Sequence, residues 1–273
     1  ISAFQNGIEI ITGGPGTGKT TIIKCIIEIF ETCGLKVLLG APTGRAAKRM
    51  SESTGKEATT IHRMLDMGVF EKEESVFVTN AEEHSLEADV VIIDEASMID
   101  ITLMNALLKS IKVGTRLIIV GDVDQLPSVG AGNVLNDFIE SGFTKVVRLK
   151  EIFRQGKESM IVVNAHKINK GEMPKLNEKG TDFFFIRNDI QEGILNTIIG
   201  LINTRLPKFN SNWDKLKSIQ VLVPMKKGVL GVTNLNERIQ NVLNPKAPYK
   251  KEKEFRSMVF REGDKVMQIK NNY

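Results

Sequence analysis

The chain has 273 residues, is 41% hydrophobic and 26% charged, and carries a formal net charge of +4 at pH 7. These values are typical of a soluble globular protein with room for two domains, and no apolar run approaches the ~20 residues that a membrane span requires. The mildly basic charge is compatible with a nucleic-acid partner, and the two cysteines, Cys25 and Cys33, lie too far apart on one predicted helix to form a bridge, which indicates a reduced, cytoplasmic setting.

The first predicted elements surround the glycine-rich stretch IITGGPGTGKTT, from Ile10 to Thr21. Residues 8–12 predict a buried strand and residues 22–30 a helix. Between a strand and a helix, the pattern G-x-x-x-x-G-K-[ST] predicts a loop whose N–H groups surround phosphates, although a plain glycine-rich turn remains the alternative. Lys19 would reach the outer phosphates of a nucleoside triphosphate, and Thr20 would bind Mg²⁺. The predicted nucleotide-binding residues are Gly13, Gly14, Pro15, Gly16, Thr17, Gly18, Lys19, Thr20 and Thr21.

Apolar strands and amphipathic helices alternate along the rest of the chain, which predicts a parallel sheet covered on both faces. We expect a domain of residues 1–150, with a small insertion near 67–87, and a second domain of residues 151–273 with a loop at 244–256. The predicted strands are 36–41, 89–94, 115–120, 145–149, 183–186 and 219–224, and the predicted helices are 45–53, 101–111, 190–206 and 232–243.

The stretch VVIIDEASMID places an acidic pair at the end of a predicted strand, where open α/β sheets bind ligands. Asp94 would hold Mg²⁺ through water, and Glu95 would orient and deprotonate the attacking water, a role that a hydrolase needs and a kinase does not. The alternative is an acidic pair that caps a helix.

A second strand, in IIVGDVDQLPSVGAG, also ends in polar residues, Asp122 and Gln125. A glutamine there would hydrogen-bond the γ-phosphate or the water, unless the segment is only a turn.

At the domain boundary, RLKEIFRQ contains Arg148, Lys150 and Arg154, and an arginine at such an edge can stabilise a transferring phosphate. Spacing alone does not select among the three.

The motifs GGPGTGKT, APTGRAAKRM, TIHRML, IIDEASMID, GDVDQLP, FRQ and VLVPMKKGVLGVTNLNERIQ, in this order, resemble the RecD/TraA-type superfamily-1 DNA helicases, a family that includes the alpha subunit of exodeoxyribonuclease V. The resemblance covers essentially the whole chain. It implies an α/β fold of two RecA-like P-loop NTPase domains with central parallel sheets, the second truncated. It also implies Mg²⁺-dependent ATP hydrolysis and 5′→3′ translocation on single-stranded DNA. By the same resemblance, Gln125 senses the γ-phosphate and Arg154 is an arginine finger.

The resemblance also assigns DNA-facing residues, namely Pro42, Thr43, Arg45, Thr60, His62, Arg63, Pro224, Met225 and Lys226. Small hydroxyl donors such as Thr43 and Thr60 suit phosphate oxygens, which position a strand without reading its sequence. His62 would stack on a base or fill a pocket, and Lys226 would follow the phosphate backbone or remain solvated.

Members of the family continue beyond a GDKVMQIKNNY-like segment into a small inserted β domain, and they carry an adenine-recognising glutamine near the N-terminus. We therefore expect a core motor fragment that works in DNA recombination or repair, with other subunits as possible partners. Two further hypotheses remain open, a P-loop ATPase switch without translocation and a nucleic-acid-binding subunit with a weak ATP site. A nucleotide kinase would have no use for Glu95, and backbone contacts distinguish DNA from RNA poorly.

Overall fold

The computed structural model of the chain describes residues 2–65, 85–151, 159–256 and 258–267. Contacts divide the chain into two compact units, Ile1–Phe184 and Phe185–Tyr273. Residues 159–184, which the sequence assigns to the second domain, belong to the first of these units. The predicted insertion at 67–87 lies outside the described residues except at 85–87. The division into two motor domains at residue 150 stays a prediction.

The first unit is built on one six-stranded sheet in which every pair of neighbouring strands is parallel. The strand order is β3-β2-β4-β5-β1-β6. The strands predicted at 8–12, 36–41, 89–94, 115–120 and 145–149 are all present, which confirms the α/β class. The strands are β1 (Ile8–Gly13), β2 (Val37–Ala41), β3 (Ala58–Thr60), β4 (Val90–Ile93), β5 (Arg116–Gly121) and β6 (Lys145–Leu149).

Helices cover both faces of this sheet, and successive strand residues point to opposite faces. Ile10 packs with one cluster and Ile11 with the other, so β1 is apolar on both sides. The cluster around Ile11 includes residues of α1 (Ser2–Gln5), α2 (Lys19–Thr32) and α3 (Gly44–Thr54). The cluster around Ile10 includes residues of α4 (Ile61–Met64), α5 (Ile101–Ser110) and α6 (Val134–Glu140). A further helix, α7 (Met160–Asn169), completes the described elements of the first unit.

The described part of the second unit contains helices and an antiparallel hairpin. Helix α8 (Gln191–Gly200) continues through a π-turn, Leu201–Arg205, into α9 (Leu206–Phe209), and α10 (Val232–Leu243) follows. Leu195 and Leu235 are buried where α8 and α10 pack together. The hairpin pairs β7 (Glu252–Phe255) with β8 (Met258–Arg261). Arg261 is buried and donates a hydrogen bond to Glu252 at 2.6 Å, which joins the two strands through their side chains.

Three sequence predictions for this part of the chain are wrong. Residues 183–186 and 219–224 are not paired as strands, and residues 244–256, predicted as a loop, contain β7. A short apolar run predicts a strand only if a neighbouring strand is available for its backbone hydrogen bonds, and the described residues offer none there. That the second unit is a truncated RecA-like domain therefore stays a prediction, whereas the helices predicted at 190–206 and 232–243 are confirmed.

Candidate functional site

The phosphate loop joins β1 to α2 at the carboxyl edge of the sheet. Gly16 and Gly18 have left-handed φ angles of 73° and 83°, which glycine adopts without strain. Gly18 is also the N-cap of α2, and because it has no side chain, no side-chain cap occupies the first-turn N–H groups of this 14-residue helix. The loop and the helix therefore present unoccupied donors and a positive helix end at one place, which is the arrangement that binds phosphate.

Close packing fixes the shape of this loop. A Cβ atom at Gly13 would lie 2.6 Å from Thr17 Oγ1 and 2.9 Å from the carbonyl oxygen of Leu149, so only glycine fits. Thr17 is buried, and its hydroxyl donates to the carbonyl of Gly14 at 2.8 Å. The Lys19 ammonium donates to the carbonyls of Gly13 at 2.6 Å and Gly14 at 3.1 Å. Lys19 is thus already held over the loop by groups that it can exchange for phosphate oxygens.

The remaining residues of the glycine-rich motif are at the solvent boundary. Pro15 and Gly16 are exposed at the tip of the loop, and Thr20 and Thr21 are exposed in the first turn of α2. The Thr20 hydroxyl is therefore accessible to an ion bound beside the loop. Among the described residues there is no group of three or more His, Cys, Asp or Glu that could hold a metal ion. Mg²⁺ on a nucleotide usually takes only one or two protein ligands, so the prediction that Thr20 binds the ion directly and Asp94 holds it through water needs no larger cluster.

The acidic pair follows β4 directly at the same edge of the sheet. The N–H of Asp94 donates to the carbonyl of Gly40 in β2 at 3.0 Å, and the N–H of Glu95 donates to Asp94 Oδ1 at 2.8 Å. Glu95 has a left-handed φ of 54°, which is unusual for a residue with a side chain. Backbone strain of this kind is concentrated at functional sites, where it fixes the direction of a side chain.

The carboxyl groups of Asp94 and Glu95 have raised pKa values. Burial is the largest cause of the raised pKa for both residues. For Glu95, the charge of Asp94 raises the pKa further, and Asp122 adds a smaller effect. Lys19 and Arg49 act in the opposite direction on both carboxyl groups. A carboxylate with a raised pKa is a stronger base than an exposed one, as the removal of a proton from water requires.

The polar residues after β5 lie beside the loop, as the strand order predicts. Asp122 is buried, and its carboxylate accepts hydrogen bonds from the N–H of Asp124 at 3.1 Å and from Gln125 Nε2 at 3.4 Å. The N–H of Val123 donates to Thr12 Oγ1 in β1 at 3.3 Å, which ties this turn to the phosphate-loop strand. Asp122 therefore orients Gln125, which is itself exposed.

Two of the predicted DNA-facing residues, Thr43 and Thr60, are helix caps. The Thr43 hydroxyl accepts a hydrogen bond from the N–H of Ala46 in α3, and the Thr60 hydroxyl accepts one from the N–H of Arg63 in α4, each at 3.2 Å. Ala41 and Thr60 are paired residues of the neighbouring strands β2 and β3, so the two caps follow adjacent strand ends. Each hydroxyl still has its own hydrogen to donate to a strand of phosphates.

The other predicted DNA-facing residues are divided between the two units and are not equally exposed to solvent. Arg45, His62 and Arg63 are exposed beside the two threonine caps, and Pro42 is half-buried. Pro224, Met225 and Lys226 are exposed in the second unit. There, the carbonyls of Met225 and Lys226 accept hydrogen bonds from the first turn of α10, which holds the segment in place. The predicted arginine finger, Arg154, lies outside the described residues.

Sequence reasoning missed two basic residues close to this site. Arg49 lies in α3, in the APTGRAAKRM stretch, and its charge acts on both Asp94 and Glu95. A signal was available, because Arg45 and Arg49 are four residues apart and so lie on one side of a helix. His166 in α7 contacts the phosphate loop through its ring. No local pattern could have identified it, since 151 positions separate it from its partner Pro15.

Two family models match parts of the chain. A family model described as an AAA domain matches residues 1–131, and one described as the SH3 domain of ATP-dependent RecD-like DNA helicases matches residues 235–273. The second match includes the hairpin β7–β8. We expected the small β domain of the family to begin only after the GDKVMQIKNNY segment, but the match to the SH3 family model begins earlier, at residue 235.

Several curated proteins are similar to the chain. The ATP-dependent RecD2 DNA helicase of Deinococcus radiodurans is 36% identical over 97% of this chain and 34% of its own length. The RecBCD enzyme subunit RecD of Mycolicibacterium smegmatis is 37% identical over 56% of this chain and 32% of its own length. The chain thus spans about a third of the length of these relatives. The solved Pif1 helicase of Candida albicans is 21% identical, covering 81% of this chain and 53% of that one, with a TM-score of 0.49.

Proposed function

Since the chain belongs to the RecD-type superfamily-1 helicases, we propose that it is the motor region of an ATP-dependent DNA helicase that moves 5′→3′ along single-stranded DNA. The observation that carries the proposal is a convergence at one sheet edge. The phosphate loop, the Asp94–Glu95 pair and Gln125 meet there, and the threonine caps Thr43 and Thr60 follow neighbouring strand ends.

The chemistry divides among this chain's own side chains. Lys19 exchanges the carbonyls of Gly13 and Gly14 for the outer phosphate oxygens, and the N–H groups of the loop bind the remaining oxygens. Glu95 takes a proton from the attacking water, and Gln125, oriented by Asp122, hydrogen-bonds that water or the γ-phosphate. Thr20 and Asp94 would hold Mg²⁺, which neutralises phosphate charge when bound. Arg154 would supply the arginine finger.

The proposed DNA contacts do not depend on base sequence. Thr43 and Thr60 would donate to phosphate oxygens while their oxygen atoms continue to cap α3 and α4. Both caps and the acidic pair lie at the ends of strands of the same sheet, and we propose that this sheet transmits movement of the bound DNA to the nucleotide site. ATP would drive translocation by binding one conformation of the protein more tightly than another. A ligand shifts a conformational equilibrium only by such a difference in affinity.

Cellular context forms part of the proposal. The M. smegmatis relative is named as a subunit of the RecBCD enzyme, which supports a role in DNA recombination or repair with partner subunits. Within the described part of the chain, no helix combines the length and the apolar character that a membrane crossing would need. We place the protein in the cytoplasm, where its DNA substrate and ATP are available.

One set of assays tests the function. ATP hydrolysis by the intact protein should rise when single-stranded DNA is added and should rise less with RNA of the same length. Lys19→Ala should abolish turnover with either polymer, because among the described side chains that donate to the Gly13 and Gly14 carbonyls only the lysine carries a positive charge that can transfer to phosphate. Direction follows from streptavidin displacement, since a 5′→3′ motor removes streptavidin from a biotinylated 3′ end and not from a 5′ end. Equal turnover with and without DNA would refute the motor and favour an ATPase switch.

A further inference from the structure

The His166 ring of α7 lies against the phosphate loop, although α7 has no place in the proposed chemistry. His166 Nε2 is 3.2 Å from the carbonyl oxygen of Pro15. A Cβ atom built at Gly14 would be 2.6 Å from His166 Cε1, so the ring occupies the space that a side chain at position 14 would need. The ring therefore makes one polar contact with the loop and one close packing contact.

The direction of the polar contact follows from chemistry. The Pro15 nitrogen has no hydrogen, and its carbonyl oxygen can only accept, so His166 Nε2 must carry the proton and donate it. A carbonyl is not a ligand for an anionic phosphate, so this hydrogen bond leaves the N–H groups of the loop free. The hydrogen bond from His166 therefore does not compete with a nucleotide for these N–H groups.

Helix α7 is itself held firmly, so the ring is positioned by a rigid element. Asp182 accepts hydrogen bonds from the Ser159 hydroxyl at 2.5 Å and from the N–H groups of Met160 at 2.6 Å and Ile161 at 3.1 Å. Asn164 is buried and exchanges two 2.8 Å hydrogen bonds with the backbone of Lys175. The first turn and the middle of the helix are therefore anchored to the segment that follows it.

We propose that His166 is a positioning residue that preorganises the phosphate loop for nucleotide by donating a hydrogen bond to the Pro15 carbonyl. This inference rests on the proposed function, because it concerns the same nucleotide site. Lys19 and Thr17 hold the carbonyls of Gly13 and Gly14, and His166 holds the next one, so three consecutive loop carbonyls have donors.

Three variants separate the hydrogen bond from packing. His166→Leu fills the space without a donor, His166→Gln places an amide donor at a similar distance from the backbone, and Asn169→Ala changes an exposed residue of the same helix as a control. The dissociation constant of a fluorescent ATP analogue should rise about 2- to 10-fold for His166→Leu, the amount expected for one hydrogen bond. It should stay near the wild-type value for His166→Gln and for Asn169→Ala.

Hydrogen exchange of peptides covering residues 13–24, measured without nucleotide, gives a second readout, because the amide of Ile22 is bonded to the Gly18 carbonyl where the loop meets α2. His166→Leu should accelerate exchange of the bonded amides in this first turn, and His166→Gln should restore protection. A His166→Leu variant with wild-type affinity and wild-type exchange would overturn the inference, as would a Gln variant as impaired as Leu. If the wild-type chain binds no nucleotide, the proposed function fails, while the exchange comparison still decides whether His166 orders the loop.

A double-mutant cycle tests the packing contact. Gly14→Ala should weaken nucleotide binding in the wild-type background, because its Cβ atom would displace the ring from Pro15. The same change should cost less in a His166→Ala background, where the ring is already gone. Additive effects of the two changes would show that residues 14 and 166 do not act through each other, and would overturn the inference.

Discussion

Replacing Glu95 should separate catalysis from stability. Glu95→Gln keeps the size of the side chain and removes its ability to accept a proton, so turnover should fall by about 10²- to 10⁴-fold, the contribution of a positioned general base. Binding of an ATP analogue should persist, because the contacts of Lys19 with the loop do not involve Glu95.

The effect of Glu95→Gln on stability follows from the raised pKa of the carboxyl group. The folded state holds the proton more tightly than the unfolded state, so the contribution of Glu95 to stability is full below the ordinary pKa of glutamate and is lost as pH rises through the raised folded value. Above that value, an ionised carboxylate is half-buried beside Asp94. Glu95→Gln should therefore be more stable than the wild type at pH 8, and the difference should shrink as pH falls.

Backbone strain supplies a second and independent part of the effect. Glu95 has a φ of 54°, and a left-handed conformation costs a residue with a Cβ atom about 1–2 kcal/mol relative to glycine. Glu95→Gly should exceed Glu95→Ala in the free energy of unfolding by about 1 kcal/mol after allowance for the flexibility of glycine in the unfolded chain. That difference corresponds to about 2–4 °C in Tm for a unit of this size.

The assay is thermal unfolding of the wild type and the Gln, Ala and Gly variants between pH 5 and 8, with turnover measured on the same samples. Two outcomes would refute the reasoning. Wild-type turnover in Glu95→Gln would remove Glu95 as the base. Equal Tm values for the Ala and Gly variants would show that the backbone at residue 95 stores no strain.

Three other changes test the rest of the site. Gly13→Ala should lower nucleotide affinity more than tenfold, as expected if its Cβ atom forces the loop away from Leu149; unchanged binding would contradict the tight loop geometry. Thr60→Ala should cost about 1 kcal/mol through loss of the α4 cap and weaken DNA binding, whereas Thr60→Ser should retain both, as measured by unfolding and by fluorescence anisotropy. Arg49→Met should raise the pKa values of Asp94 and Glu95 further, so the acid limb of the turnover–pH profile should move to higher pH; coincident profiles would argue against its electrostatic role.

Local patterns predicted much of the first unit because they concern neighbours in the chain. The strand–loop–helix around Gly13–Thr20 needs only glycine at the turns and an apolar run on each side, and the structure has β1 and α2 at those positions. The carboxyl ends of parallel strands meet at one edge, so the end of β4 also predicted that Asp94 would lie near the phosphate loop.

Tertiary structure decided the features that depend on partners distant in the chain. The left-handed backbone of Glu95, the charge of Arg49 beside the acidic pair and the His166 ring on the loop all arise from packing of separate elements. The apolar runs at 183–186 and 219–224 show the same limit. The sequence by itself determined where strands and the phosphate loop can form, because these follow from side-chain alternation and glycine geometry. Strand pairing, the charges beside the acidic pair and the contact of His166 with the loop depend instead on which segments fold against one another.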